Sequence, residues 1–184
     1  HGDLAVNGDR AGVAMSHVID WVEKEVTIVN DEHILETREE RLPVIRNDFT
    51  IGFSADIGVS PAREIQIRWA RELAFQLIQR GFNIARFTFD GFQSVDSMQI
   101  LETAGIETDR VSTDLNNNVW RTLKDVASDR RLKRPENEDL LNEITSLIDL
   151  GRKVDHPPTS GKDLADAFAC SIVGAIELGG SESD

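Results

Sequence analysis

Asn7-Gly8 stands between two short apolar runs, Leu4 to Val6 and Gly12 to Met15. Asn-Gly suits a two-residue turn in which both central positions take a positive φ. The chain is therefore expected to open with a β-hairpin. A third strand is expected in the Val44 to Ile57 region, where Phe49, Ile51 and Phe53 alternate with smaller or polar residues. The stretch between, Asp20 to Arg41, is highly charged, and its pattern chooses neither helix nor strand.

Beyond the hairpin the signals alternate. Ser60-Pro61 reads as a helix start, with Ser as N-cap and Pro at the first helical position. Ile67, Ala70, Leu73, Ala74 and Leu77 form one apolar face, and Gly81 ends that helix. Ile84 to Asp90 has the β-branched and aromatic pattern of a strand, broken by Gly91. A helix from Ser94 to Thr103, stopped by Gly105, comes next, and Val111 is a candidate for one more short strand. Leu115 to Ser128 and Glu136 to Leu150 read as helices joined by the basic run Arg130 to Pro135. A loop, His156 to Gly161, leads into a last helix, Lys162 to Leu178, and Gly179 to Asp184 reads as a frayed tail. The expected class is α/β: a mixed sheet opening with an antiparallel meander, with helices on both faces. No internal repeat or second domain is visible, so residues 1–180 are expected to form one domain and 181–184 a flexible tail.

Cys170 is the single cysteine, so no internal disulfide can form. It lies in the apolar run Ala167 to Ile176 and is expected to pack as a small hydrophobe, which fits a reducing compartment. No apolar stretch is long enough to span a bilayer, and no signal peptide is visible. The chain enters a strand-like run directly at His1, without a methionine, and reads as a piece of a longer or processed chain. It has no GxxxxGK[ST] phosphate loop, so ATP hydrolysis is not expected of it. The formal net charge of −13 argues against a passive DNA-coating protein, which needs Lys and Arg for the phosphates. It is compatible with a nuclease, because carboxylates around divalent cations count as negative in a formal sum. Basic residues are concentrated in one segment: Arg121, Lys124, Arg130, Arg131, Lys133 and Arg134. These six are the candidate DNA-binding residues, and the run Arg130 to Arg134 is expected either to contact phosphates or to be only a solvated linker.

Four carboxylates stand out by setting. Asp3 lies in the first strand beside Leu4, and Asp90 ends the strand carrying Phe87 and Phe89. Asp163 and Asp166 share one face of the last helix, three residues apart near its N-terminus. Phosphodiester hydrolysis can use such a set: two divalent ions activate water and stabilise the leaving oxygen, and hard ions want oxygen ligands. Each position also has a plainer reading. An Asp at a strand end often serves a turn or cap, Asp163 can act as a helix N-terminal charge, and Asp9 suits the hairpin turn. His1, His17, His33 and His156 show no ligand spacing, so nothing points to zinc.

The order of these segments resembles the nuclease domain of a tailed-bacteriophage large terminase subunit, within the RNase H-like and RuvC-like group. His1-Gly2-Asp3-Leu4-Ala5 with Gly8-Asp9-Arg10-Ala11-Gly12 resembles its first hairpin. Phe87-Thr88-Phe89-Asp90-Gly91 running into Ser97-Met98-Gln99-Ile100-Leu101 resembles its second acidic motif. His156-Pro157 followed by Gly161-Lys162-Asp163-Leu164-Ala165-Asp166 resembles its third. The resemblance spans His1 to about Gly180. It implies an RNase H-like fold and a Mg²⁺- or Mn²⁺-dependent endonuclease that cleaves double-stranded DNA through two metal ions during genome packaging.

On that resemblance, Asp3, Asp90 and Asp166 match the core metal-binding acids. Asp163 matches a position that binds the second ion or orients its water, and Asp9 matches an acid with no assigned role. The implied partners are DNA, the small terminase subunit and the procapsid portal, in the cytoplasm of an infected bacterium. The full protein would carry an ATPase that this chain lacks. A catalytically silent DNA-binding module of the same fold and a RuvC-like junction resolvase are the alternatives.

Overall fold

The computed structural model describes residues 1–3, 11–29, 35–53, 68–90, 95–113 and 117–181. In chain order the elements are β1 (Gly2–Asp3), β2 (Ala11–Val29), β3 (Leu35–Phe53), α1 (Arg68–Gln79), β4 (Arg86–Phe89), α2 (Val95–Thr103) and β5 (Glu107–Arg110). Next come α3 (Asn118–Ser128), β6 (Leu132–Lys133), α4 (Glu138–Ser146), β7 (Ile148–Asp149), β8 (Val154–Asp155) and α5 (Asp163–Ser181). Six strands form one mixed sheet in the order β5-β4-β1-β2-β3-β6, and β7 and β8 form a separate small hairpin. β1, β2 and β3 run antiparallel in sequence, whereas β4 adds to β1, β5 to β4 and β6 to β3 in parallel. The expected α/β class with an opening antiparallel meander is what forms.

Helices cover both faces of the sheet, each face with its own apolar core. Ile45 packs with Leu123 and Val126 of α3, Leu140 of α4, and Leu164, Phe168 and Ile172 of α5. Val13, Phe87 and Phe89 pack on the other face against Ala70 and Ala74 of α1 and Leu101 of α2. Alternation in the strands produces this division, since successive residues point to opposite faces. A buried side chain of this kind contributes about 1.5–3 kcal/mol. Cys170, 1% exposed, sits in the first of these cores as a free thiol, as its apolar surroundings lead one to expect.

α1 buries Ala70, Ala74 and Leu77 and stops before Gly81, whose φ of +93° suits glycine alone. Gly105 ends α2 in the same way, at φ +82°. The Asn7-Gly8 turn, Asp9 and the Ser60-Pro61 helix start lie outside the described residues. The strands flanking that turn are antiparallel, with Gly2 opposite Val13 and Asp3 opposite Gly12.

Several local expectations change in the fold. The charged stretch is strand at residues 20–29 and 35–41, where β2 and β3 remain paired out to Val29 opposite Leu35; residues 30–34 lie outside the described residues. Hydrophobic alternation fails to announce it because much of this ribbon is exposed. Its cross-strand partners include Glu23 with Arg41 and Lys24 with Glu40, which favour one another by charge. The basic run between α3 and α4 is more than a linker, since Leu132–Lys133 pairs with Ile45 and Arg46 as an edge strand.

The helix expected through Leu150 ends at Ser146, and the chain continues as β7, turning at Gly151 (φ +85°) into β8. The strand expected at Val111 lies just before it, as β5, with the Val111 amide donating to Phe89 O at 3.0 Å. The last helix continues through Gly179 to Ser181 instead of fraying. Gly179 lies against β2, where a methyl group would come within 2.7 Å of Val18 Cγ2.

Candidate metal centre

The site starts from β1, held between β2 and β4. Gly2 pairs in parallel with Phe89, and the Asp90 amide donates to Gly2 O at 3.2 Å. Asp3 and Asp90 are therefore the next residues along two neighbouring strands. A side chain at Gly2 would meet Phe87 and Ala70, so Gly2 faces α1. The following residue, Asp3, faces the other side, where α5 lies.

α5 approaches that point because two glycines make room for it. Gly12 lies opposite Asp3 and beside Gly52. A methyl carbon at Gly12 would fall 2.1 Å from Asp163 O, and one at Gly52 would fall 3.2 Å from Leu164 Cδ2. The first turn of α5, with Asp163 and Asp166, thus rests directly on the β1–β2 pair. Asp166 is 4% exposed, whereas Asp163 is only partly buried.

The convergence of the acids is expressed in Asp3. Burial pushes its carboxyl up from 3.8 to about 8, and the neighbouring charges of Asp166, Asp163 and Asp90 push in the same direction. Lys162 opposes them. Asp90, Asp163 and Asp166 are thus each within electrostatic reach of Asp3, although the four come from β1, the end of β4 and α5. Lys162 Nζ lies 3.2 Å from Asp166 Oδ2, one helical turn away, and both side chains are largely buried. Among the described residues, no three His, Cys, Asp or Glu side chains as they stand form a group that could hold a metal ion. The donors are carboxylate oxygens, which suits a hard divalent ion. Such ions usually take one or two carboxylates and complete their shells with water and phosphate oxygens.

One participant goes unpredicted. Glu143 of α4, 6% exposed, places Oε2 at 2.9 Å from Leu164 N and 3.0 Å from Ala165 N. The first-turn amides of a helix have no partners within it, and a carboxylate there also meets the positive end of the helix dipole. Glu143 anchors the turn that presents Asp163 and Asp166. Its signal in the sequence is a carboxylate on the apolar stripe of Leu140, Ile144 and Leu147.

The six basic residues proposed for DNA are distributed unequally. Arg121 and Lys124 are exposed on α3. Arg130, in a left-handed turn at φ +57°, and Lys133 and Arg134 are also exposed. Arg131 turns inward at 7% exposure, donating to Pro43 O at 2.8 Å and to Asp129 Oδ2 at 3.2 Å.

Among the described residues no helix is long and apolar enough to cross a membrane. In comparisons with known proteins, no family model, curated protein or solved structure matches the chain.

Proposed function

We propose that this chain is a divalent-metal-dependent endonuclease domain of RNase H-like type, cleaving double-stranded DNA by two-metal-ion hydrolysis. The observation that carries this reading is the set of four acids, three of which act together with burial to hold the Asp3 carboxyl protonated up to about pH 8. A group of carboxylates this crowded favours cations strongly. The opening antiparallel meander extended in parallel by β4 and β5 supports the RNase H-like assignment. The motif order supports a terminase-type nuclease acting in genome packaging, with the small subunit and portal as partners in the host cytoplasm.

Asp3, Asp90 and Asp166 would hold the ions, with Asp163 serving the second one from its more open position. Bound Mg²⁺ or Mn²⁺ supplies an activated water and charge neutralisation at the phosphate. The chain's own part is to orient the carboxylates through β1, β4 and the Glu143-anchored turn of α5. Lys162 holds a positive charge on Asp166, and Arg130, Lys133 and Arg134 are available to phosphates.

Incubating the chain with plasmid DNA and Mn²⁺ or Mg²⁺, with and without chelator, tests this reading. Chelator-sensitive nicking or linearisation is expected. Asp90→Asn and Asp166→Asn should be inactive but folded, and Asp163→Ala slowed, with a shifted metal dependence. DNA binding without cleavage at any metal concentration would assign the chain to a silent binding module instead.

A further inference from the structure

A groove of about 530 Å³ runs beside α3, closed on its far side by the segment from the end of α4 to β8. Leu123, Ala127, Ile144, Leu147 and Val154 make its lining mainly apolar. Arg121 and Lys124 stand three residues apart on α3 and also line it. Both are exposed, and neither has an ion pair among the described residues. The acid in the lining, Asp149, accepts from Gly151 N at 2.8 Å and from Asn117 Nδ2 at 3.4 Å.

Two buried polar atoms of lining residues are unsatisfied. Trp120 Nε1 and Asn117 Oδ1 have no hydrogen-bond partner among the described residues, and the residues are 9% and 8% exposed. The Asn117 amide is oriented by its nitrogen, which donates to Gly151 O at 2.9 Å, so its oxygen is left as an acceptor. Buried polar groups normally find partners. Both atoms are closed off from solvent, so what the lining presents to a ligand is its apolar side chains and the charges of Arg121, Lys124 and Asp149. Next to the groove, on and after β7, Ile148 and Leu150 are 47% and 63% exposed.

We propose that this groove docks a segment of another polypeptide in which apolar residues are flanked by Asp or Glu. The apolar side chains fill the lining beside Trp120, and the carboxylates meet Arg121 and Lys124. A phosphate backbone fits less well, because it would leave the apolar lining uncovered. This surface is separate from the carboxylate site and stands whether or not that site cleaves DNA.

Short random peptides displayed on phage and selected against the full chain test the proposal. Enriched sequences should combine Leu, Ile or Phe with Asp or Glu. A synthetic peptide of that consensus should shift the Trp120 indole signal in an NMR titration, leaving those of Trp21 and Trp69 in place. Arg121→Glu combined with Lys124→Glu should weaken it at least about tenfold, equivalent to about 1.4 kcal/mol. Ala127→Phe, which fills the groove from an exposed position, should do the same. The proposal is overturned if no such consensus emerges or if the peptide binds the variants as well as the parent chain. It is likewise overturned if a random-sequence DNA duplex displaces the peptide and moves the Trp120 signal, which would make the groove a nucleic-acid site.

Discussion

Glu143 Oε2 accepts the Leu164 amide at 2.9 Å, so a residue of α4 decides where the first turn of α5 begins. The neighbouring Ala165 amide shares the same oxygen at 3.0 Å. Glu143→Ala would leave both buried donors without an acceptor and is expected to cost about 2–3 kcal/mol. Glu143→Gln keeps an acceptor in place and should lose less. Urea denaturation of the three proteins checks this; an Ala variant as stable as the parent would remove Glu143 from its anchoring role.

The Asp3 carboxyl, raised from 3.8 to about 8, ties stability to pH. Between those values the folded chain keeps a proton that the unfolded chain has released. The contribution is therefore fully present below 3.8 and is lost as pH rises through about 8. Without divalent ions, the melting temperature should fall from pH 5 to pH 8 more steeply in the parent than in Asp3→Asn, which cannot ionise. Adding Mg²⁺ at pH 8 should restore part of the loss, because ligands of the folded state stabilise it. Parallel melting curves for the two proteins would mean that Asp3 carries no such proton.

Gly12 and Gly52 make room for the same helix in different ways, and substitution separates them. At Gly12 a new methyl meets the backbone of Asp163, which cannot yield without moving α5. Gly12→Ala should cost at least about 2 kcal/mol. At Gly52 the methyl meets the Leu164 side chain, which can shift. Gly52→Ala should cost less than about 1 kcal/mol, and equal losses at the two positions would contradict this account of the close approach.

Arg131 should behave unlike its basic neighbours. Its guanidinium is committed to Pro43 O and Asp129, so Arg131→Ala should destabilise the fold by about 2 kcal/mol. Lys133→Ala and Arg134→Ala should change stability by less than about 0.5 kcal/mol. If they contact phosphates, each should flatten the salt dependence of DNA binding by a slope of about 1. Melting curves together with binding titrations at several salt concentrations separate the two roles; a stable Arg131→Ala variant with a reduced slope would reverse the assignment.

Much of this architecture was legible locally. Gly81 and Gly105 stop helices because they supply a positive φ, and the spacing of Ala70, Ala74 and Leu77 marks a buried helical face. Phe87 and Phe89 announce a strand by alternation, and its end fixes Asp90 just beyond the last residue of β4. Such signals act within one strand or a few helical turns, so the order of residues alone carries them. Strand pairing made the decision elsewhere. Residues 20–29 and 35–41 become a ribbon because each strand supplies the other's backbone partners, and Leu132–Lys133 becomes a strand because β3 offers a free edge. Whether an arginine reaches solvent or turns inward, as Arg131 does, depends on a carbonyl 88 positions away in the chain. The four acids could be named singly, but their mutual effect on Asp3 exists only once β1, β4 and α5 share one low-dielectric corner. Glu143 was unreadable for the same reason: a carboxylate on an apolar stripe acquires its role from the helix terminus that the fold brings to it.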